Sequence, residues 1–339
     1  MIHLLALKCM AREDNMTPKL YYGIPAYNEE ENLPSCLRSL AGQDIDLDLE
    51  TIVCLNGCTD KTEEVVDEAK EKHPKLNIRT IYSEKGISYA QNAIVRNIEN
   101  RKAPIVFVDA DITLDRKCVG ILYEEMNRLD QLIVIGGWPV PHRPKKMSSW
   151  ERFLYKILHM RAFYPESEIS KHNVSKFKNY VRENPQPVTD PDFEIRSKIY
   201  FHGRTFMMRN ADFFEMPEDK NVADDTYLPN MIHTKYGPGT IRTRFDALVY
   251  YKPYLSLREH YKAYRRIFWD LDNIDKKGQF KESRRMEETR LDWNYIFSKG
   301  PLVTLEFLAY AAISFMEENV LYGLLPKKSI SEVWQYEKK

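Results

Sequence analysis

The chain has 339 residues, of which 43% are hydrophobic, and it carries 50 Lys and Arg against 50 Asp and Glu. This composition is typical of a folded protein with a sizeable core and excludes a disordered chain. The balanced charge argues against a general nucleic-acid-binding protein, which would normally have an excess of basic residues.

The cysteines and the apolar segments indicate the compartment. Five cysteines form no CxxC pair, so neither a disulfide framework nor a zinc site is expected. Met1–Asp14 lacks a basic n-region and a cleavage site, which argues against a signal peptide. The longest apolar run, Phe307–Met316, is shorter than the about 20 residues that span a bilayer. We therefore expect a cytoplasmic protein without a transmembrane segment.

From Lys19 onward, short apolar runs alternate with longer helical patterns. The predicted strands are KLYYGIP, LETIVCLN, LNIRTIY, PIVFVDAD and QLIVIGG. Strand and helix in repeated alternation predict a mostly parallel sheet with helices on both faces. Ligands bind outside the carboxyl ends of the strands in such sheets, so the residues after each apolar run are the functional candidates.

Past Gly137 the alternation ends. We interpret PVPHRPKK as a Pro-rich loop and the polar stretch near 165–192 as an insertion or mobile loop. Two further strands are predicted at RTFMMRN and RFDALVYY, and the tail from Ser256 is expected to be mostly helical. The amphipathic pattern that begins near Trp150 follows several basic residues, so it fits either a core-facing helix or one on an anionic membrane surface.

The first three strand ends each allow a structural and a functional interpretation. Glu29–Glu31 fit the first turn of a helix, where the dipole favours acids, but Tyr27 before them could stack on a flat base. Asn56 lies in a predicted tight turn, and its amide could also recognise a base. Lys85 precedes Gly86 and a helical pattern, where it either faces a phosphate or lies in a solvated loop.

The fourth strand ends in the acidic pair Asp109 and Asp111. Residues i and i+2 of an extended chain lie on one side, about 6 to 7 Å apart. The carboxylates of a retaining glycosidase must flank the sugar from opposite sides, which neighbours on one strand can hardly do. Oxygen ligands on one side suit Mg²⁺ or Mn²⁺, with water and a diphosphate completing the shell.

Four segments in this order, IPAYNEEENLPSCLRSL, LNGCTDKTEEVV, KGISYAQNAIVRN and VFVDADITLD, resemble the donor-binding half of the family 2 glycosyltransferases of GT-A fold. FHGRTFMMRNADF and VADDTYL are similar to the glycine-containing strand and the acidic motif of that family. The resemblance implies an α/β GT-A catalytic domain over 17–250, with a mostly parallel central sheet flanked by helices. Its donor half would span 17–115 and its acceptor half 138–250, and a helical C-terminal extension would follow over 251–339.

The resemblance also implies roles for single residues. The residues expected to contact the nucleotide-sugar donor are Pro25, Ala26, Tyr27, Glu29, Asn56, Lys85, Asp109 and Arg265. Asp111, together with Asp109, is expected to bind Mn²⁺ or Mg²⁺. Asp225, the last acid of the acidic motif, is expected to be the catalytic base.

The chain departs from the family pattern in three places. Asn56 stands where the family has an aspartate that suits the N3–H of uracil; a UDP-sugar is the expected donor, although an amide suits more than one base. Asp224 stands where the family usually has glutamate, and either Asp224 or Asp225 also fits a helix N-cap. The segment around Arg265 lacks the glutamine and tryptophan of the QxxRW motif, which argues against a polymer-extruding synthase.

The implied function is a metal-dependent, inverting transfer of a sugar to a hydroxyl acceptor on a glycan or a lipid-linked glycan. Peripheral contact with the inner face of the membrane is part of this hypothesis. Two alternatives stay open. A sugar-nucleotide pyrophosphorylase would be expected to carry a Gly-rich basic loop where this chain has the acidic IPAYNEE. A non-catalytic nucleotide- or glycan-binding protein would tolerate the loss of Asp225.

Overall fold

The computed structural model describes residues 19–171, 178–185, 200–218, 223–277, 280 and 288–322. Its strands, numbered in chain order, are β1 Lys19–Ala26, β2 Asp48–Leu55, β3 Ile78–Tyr82, β4 Ile105–Val108, β5 Thr113–Leu114, β6 Val134–Pro141, β7 Glu168–Ser170, β8 Thr205–Met208, β9 Ile241–Tyr251 and β10 Thr289–Leu291. Its α-helices are α1 Leu33–Ala41, α2 Thr62–Lys72, α3 Ile87–Arg96, α4 Cys118–Arg128, α5 Ser149–Leu158, α6 Met160–Phe163, α7 Lys178–Glu183, α8 Asp224–Tyr236, α9 Leu257–Lys277, α10 Trp293–Ser298 and α11 Pro301–Met316. A π-helical segment, Glu317–Leu321, follows α11.

The described strands form one large sheet and one separate antiparallel pair. The large sheet has the order β3-β2-β1-β4-β8-β6-β9-β5, and β7 pairs with β10. β3, β2, β1 and β4 are mutually parallel, which confirms the prediction for the first half of the chain. β8 runs antiparallel between β4 and β6, and β9 runs parallel to β6. The sheet is therefore mostly parallel, with β8 inserted against the common direction.

The core lies on both faces of this sheet, and β1 shows why its sequence is apolar throughout. Leu20, Tyr22 and Ile24 pack in the apolar cluster that includes residues of α1, α2 and α4. Tyr21 packs in the opposite cluster with residues of α3 and α8. A strand covered on both faces cannot alternate apolar with polar residues, because both sets of side chains are buried.

The predicted PVPHRPKK loop is wrong in its first half. β6 continues to Pro141 and pairs with β9 beyond a register shift between Gly137 and Trp138. β8 pairs only with Val134–Gly136 within the described sheet. Proline is tolerated at a sheet edge, because its missing N–H is not needed for a ladder there. The prolines thus lie in a part of β6 that pairs on one side only within the described sheet, and they do not end the strand.

The helix at Trp150 is present as α5, but its apolar residues divide into two groups. Leu154, Ile157 and Leu158 are buried. Trp150 and Phe153 are 61% and 47% exposed, and their rings stack with centroids 5.3 Å apart. None of the helices in the described ranges is both long and apolar enough to cross a membrane.

The C-terminal helices pack back onto the middle of the chain. Ile157 and Met160 form an apolar cluster with Ile296, Phe307 and Tyr310 of α10 and α11. The β7–β10 pair makes a second connection between the same regions. The insertion predicted near 165–192 contains β7 and α7, while its residues 172–177 and 186–192 lie outside the described residues.

Candidate active site

The carboxyl ends of β1 and β2 bring the first two donor motifs together. Pro25 and Ala26 end β1 and lie beside Cys54 and Leu55 at the end of β2. The backbone N–H of Asn56 donates to the carbonyl oxygen of Ala26 at 2.9 Å. This bond holds the backbone of Asn56 at the sheet edge where a ligand would bind, and the residue is buried there, 5% exposed.

Hydrogen bonds between the two loops hold their shape. Asn28 has a left-handed backbone with φ 53°, and its side-chain oxygen accepts from the N–H of Thr59 at 2.8 Å. The N–H of Glu29 donates to Oγ1 of Thr62 at 2.7 Å. The Glu29 carboxylate accepts from the Asn32 amide at 2.8 Å, so at least part of its hydrogen bonding is local to the loop.

Lys85 lies against Tyr27. Its Nζ donates to the Tyr27 hydroxyl at 2.8 Å and stands 4.0 Å from the ring centroid. Gly57, beside Lys85, has φ 80°, a left-handed backbone conformation that favours glycine. The three strand ends thus place Tyr27, Asn56 and Lys85 side by side, as a common nucleotide site requires.

Asp109 and Asp111 follow β4 at the same edge. The N–H of Asp109 donates to the carbonyl oxygen of Arg204 at 2.9 Å. Asp109 is half-buried and Asp111 is exposed. Burial, followed by the charges of Asp111 and Asp224, raises the pKa of Asp109 well above its usual value, and Arg204 and Arg266 oppose this rise. The site therefore concentrates negative charge that a cation would relieve.

A divalent cation fits this pair only with ligands from outside the protein. Within the described ranges, no three His, Cys, Asp or Glu side chains are grouped to hold a metal ion. Mg²⁺ and Mn²⁺ sites commonly combine one or two carboxylates with water and substrate phosphates. Asp109 and Asp111 offer the two carboxylates of such a site.

The second acidic pair opens α8. The N-cap residue is Ala223, so neither Asp224 nor Asp225 has the capping role that the sequence left open. The N–H of Asp225 donates to Oδ1 of Asp224 at 2.8 Å, and the Gln91 amide donates to Oδ2 at 2.5 Å. Burial first, and then the charge of Asp225, raises the pKa of Asp224 to about 7.

Asp225 lies beside Gly203 and two arginines. Burial raises the pKa of Asp225, while Arg266, Arg204 and the backbone of Gly203 favour its charged form. A Cβ on Gly203 would lie 2.8 Å from Oδ1 of Asp224 and 3.0 Å from Cβ of Asp225. The glycine therefore lets the segment before β8 approach the first turn of α8, where both acids lie.

Four residues of the acid cluster were missed by the sequence analysis: Gln91, Arg204, Arg266 and Asp270. The predicted Arg265 interacts electrostatically with Tyr261 and Tyr322, whereas its neighbour Arg266 faces the acids. The double arginine in YRRIF was a signal for this region. Which of the two faces the site depends on how α9 is rotated, and the role of Arg265 in donor binding stays a prediction.

A mostly parallel sheet with an antiparallel strand inserted and helices on both faces is the architecture of the GT-A fold. The family model described as Glycosyl transferase family 2 matches residues 22–214, which is more than half of the chain. The chain belongs to this family.

Similar proteins agree with this assignment. An uncharacterized glycosyltransferase, YfnE, of Bacillus subtilis (strain 168) is 32% identical over 113 residues, or 33% of this chain and 28% of that protein. Chondroitin synthase of Escherichia coli is 29% identical over 237 residues, or 64% of this chain and 34% of that protein. The chain thus spans no more than about a third of either relative.

One solved structure shows the same fold. It is that of the mannosyltransferase PcManGT from Pyrobaculum calidifontis in complex with GDP-Man and Mn²⁺. The TM-score is 0.54 at 16% sequence identity, and the match covers 95% of this chain and 84% of that one.

Proposed function

We propose that the protein is an inverting, divalent-metal-dependent glycosyltransferase. It moves a sugar from a nucleoside diphosphate donor, with a UDP-sugar as the first choice, to a hydroxyl group on a glycan or a lipid-linked glycan. The observation that carries the proposal is the meeting of the two acidic pairs at the sheet edge beside Tyr27 and Asn56. Membership of the glycosyltransferase family and the shared GT-A fold support it.

The donor would bind along the ends of the first four strands. Tyr27 offers its ring to the base and Asn56 its amide, while Pro25, Ala26 and Glu29 form the loop around them. Lys85 lies close enough to Tyr27 to reach a phosphate or the base without a change of backbone. Asp109 and Asp111 would hold Mn²⁺ or Mg²⁺, and this ion would neutralise the growing charge of the departing diphosphate.

Asp225 would act as the general base. Its carboxylate takes the proton of the acceptor hydroxyl while that oxygen attacks the anomeric carbon and the bond to the diphosphate breaks. A single displacement of this kind inverts the anomeric configuration. Arg204 and Arg266 lie close enough to the acids to favour the charged form of Asp225, and both can stabilise the diphosphate as it leaves.

The decisive experiment follows nucleotide binding and sugar transfer separately. Thermal shift with a panel of nucleotide-sugars and Mn²⁺ identifies which nucleobase the donor carries. Hydrolysis of the best donor then measures turnover with water as acceptor. Asp225→Asn is expected to lower turnover roughly 10²- to 10⁴-fold, the usual contribution of a general base, and to leave the thermal shift unchanged. The control is Asp67→Asn, at an exposed position of α2.

Two results would contradict the proposal. If no nucleoside diphosphate raises the melting temperature in the presence of metal, the donor site is wrong. If the donor binds but wild type and Asp225→Asn hydrolyse it equally slowly, the chain is a binding protein without catalytic activity.

The exposed Trp150–Phe153 pair supports a membrane-proximal acceptor. Exposed Arg143, Lys145 and Lys146 precede the pair, so aromatic and basic side chains occur together, as at an anionic lipid surface. We expect sedimentation with vesicles that contain phosphatidylserine, and weaker binding after Trp150→Ser with Phe153→Ser. Tyr82→Ser, at another exposed aromatic, is the control. Equal sedimentation with neutral vesicles, or none at low salt, would contradict this part of the proposal.

A further inference from the structure

Asp270 is a buried acid outside the donor motifs. It lies on α9, four residues after Arg266, so the two side chains project from the same face of the helix. Asp270 is 4% exposed, and its Oδ1 has no hydrogen-bond partner. The charges of Asp225 and Asp224 act on it, and Arg266 opposes them. α9 therefore adds a third acid to the side of the cluster that holds the expected base.

This arrangement has no evident benefit for folding. A buried polar group without a partner costs free energy, and a buried carboxylate beside other acids costs more. Arg266 compensates only in part, because it also interacts with Asp109, Asp224 and Asp225. Unsatisfied buried groups that persist in an active site commonly find their partner in a bound ligand.

The carboxyl of Asp270 suits a hydroxyl group as that partner. Burial first, and then the charge of Asp225, raises its pKa to about 8, so near neutral pH the group can donate a hydrogen bond as well as accept one. An anionic ligand group is not attracted by Asp270 itself, which offers either a neutral carboxyl or a carboxylate. A neutral group with more than one hydroxyl fits best.

Aromatic rings beside Gly203 provide an apolar wall for such a ligand. Trp138 packs edge-on against His202, with ring centroids 6.4 Å apart, and its ring is tilted against that of Phe245, with centroids 4.8 Å apart. Trp138, His202 and Phe245 are all half-buried, which leaves part of each ring accessible. His202 precedes Gly203, where an added Cβ would lie 2.8 Å from Oδ1 of Asp224 and 3.0 Å from Cβ of Asp225, so this end of the wall lies near the acids. Aromatic surface with a few fixed polar groups is typical of a ligand site.

We infer that Asp270 positions the acceptor by a hydrogen bond to the hydroxyl next to the one that Asp225 deprotonates. The acceptor is accordingly a neutral sugar with vicinal hydroxyl groups, one bound by each acid. A serine side chain offers only one hydroxyl, and a phosphate monoester brings the wrong charge. This inference rests on the proposed function, in which Asp225 is the base and the donor occupies the edge of β1 to β4.

The experiment measures transfer to a panel of p-nitrophenyl glycosides and to their singly deoxygenated analogues, with Mn²⁺ and the donor found by thermal shift. Asp270→Ala is expected to raise the acceptor KM about 10- to 100-fold, the effect of losing a hydrogen bond to a charged or buried group. Donor hydrolysis, which does not use the bound acceptor hydroxyl, should fall clearly less than transfer to the acceptor. Asp270→Asn keeps a hydrogen-bonding group at this position and should show a smaller rise in KM.

Two controls separate positioning from folding. Asp272→Asn changes an acid of the same helix that hydrogen-bonds to the Tyr322 hydroxyl at 3.1 Å, and it should leave the acceptor KM unchanged. A glycoside lacking the hydroxyl that Asp270 binds should lose affinity for wild type and show no further loss with Asp270→Ala, because both changes remove the same contact.

Each outcome decides the inference. Donor hydrolysis by wild type without transfer to any vicinal diol in the panel would overturn it. So would an unchanged acceptor KM in Asp270→Ala, or a fall in donor hydrolysis equal to the fall in transfer, since the latter indicates a structural role. If no nucleotide-sugar is bound or hydrolysed by wild type, the proposed function fails first, and the inference fails with it.

Discussion

Gly203 shows how a single missing Cβ sets the geometry of the acids. An alanine there would place Cβ 2.8 Å from Oδ1 of Asp224 and 3.0 Å from Cβ of Asp225, so one of these groups must move. We expect Gly203→Ala to lower donor hydrolysis about 10²-fold, because a displacement of about 1 Å at reacting groups has effects of that size. The measurement is kcat with the saturating donor and Mn²⁺.

The control for Gly203 is a glycine with room for a side chain. Gly42 has a negative φ, and a Cβ there would lie 3.4 Å from the carbonyl oxygen of Arg38. Gly42→Ala should therefore keep kcat unchanged. Wild-type kcat in Gly203→Ala would show that Asp225 is not held by this contact.

The raised pKa of Asp270 predicts how stability changes with pH. The folded protein holds a proton up to about pH 8, whereas an unfolded aspartate releases it near pH 3.9. The contribution of Asp270 to the free energy of unfolding is fully present below about pH 4 and is lost as the pH rises through about 8. Asp270→Asn removes the titration, so we expect the variant to melt above wild type at pH 8.

The pH dependence of the difference is the informative result. The gain in melting temperature for Asp270→Asn should shrink as the pH falls from 8 towards 4, because wild-type Asp270 is then protonated in both states. Asp272→Asn should show no such trend. A gain that is constant with pH would mean that Asp270 does not titrate in this range.

Among single residues, the sequence predicted those of the site only where strands end. Asp109, Asp111 and Asn56 follow apolar runs, and parallel strands deliver such residues to a common edge. Gln91, Arg266 and Asp270 lie within helices. Whether a helical polar residue faces a site or solvent depends on how the helix packs, and a single sequence does not specify that rotation.

Among the secondary-structure elements, the packing position of α9 determines where Arg266 and Asp270 lie. His260 Nδ1 lies 2.9 Å from Oε2 of Glu317, and both residues are buried. This contact fixes the first turns of α9 to the π-helical segment. Glu317→Ala leaves His260 without this partner, at a cost of about 1 to 3 kcal/mol. We expect a lower melting temperature and a marked loss of transfer.

Donor binding separates this effect from general unfolding. Tyr27, Asn56 and Asp111 lie on loops after β1, β2 and β4, so most of the thermal shift by the donor should persist in Glu317→Ala, apart from what the arginines of α9 contribute. Glu318→Ala, at the exposed neighbour, is the matched control. Equal loss of donor binding and transfer would indicate that the whole fold, and not α9 alone, is disturbed.

The elements themselves were predictable up to β4. Each of the first four strands is followed by a helical pattern, and this repetition predicts parallel neighbours. Beyond β4, the sheet depends on pairings between distant segments. β8 enters between β4 and β6 from about 65 to 100 residues away in the chain, and no local pattern encodes such a partner.

At the scale of the whole molecule, the balanced net charge hides a concentrated acidic site. Equal numbers of acidic and basic residues would suggest little electrostatic strain. Asp109, Asp224 and Asp270 nevertheless have raised pKa values, because burial and mutual repulsion act on all three. The fold thus carries an unfavourable charge cluster that binding of a cation can relieve, a common relation between stability and function.

This cluster predicts that metal and nucleotide stabilise the protein cooperatively. A ligand at about 100 times its Kd adds about 2.7 kcal/mol to the free energy of unfolding. Mn²⁺ alone has few protein ligands, and a diphosphate alone faces acids, so each should raise the melting temperature little. Together they should raise it clearly, and Asp111→Asn should remove most of this joint increment.

The control is Asp115→Asn, because Asp115 lies only four residues further along the chain, directly after β5, and its carboxylate accepts from the N–H of Lys117 at 3.0 Å. Asp115→Asn should keep the joint increase in melting temperature, since the wild-type Asp115 carboxylate hydrogen-bonds to the backbone and is not expected to bind the metal. The measurement is the melting temperature with UDP, with Mn²⁺ and with both, repeated after EDTA. An increment that survives EDTA, or survives in Asp111→Asn, would mean that the nucleotide binds without a metal at this acidic pair.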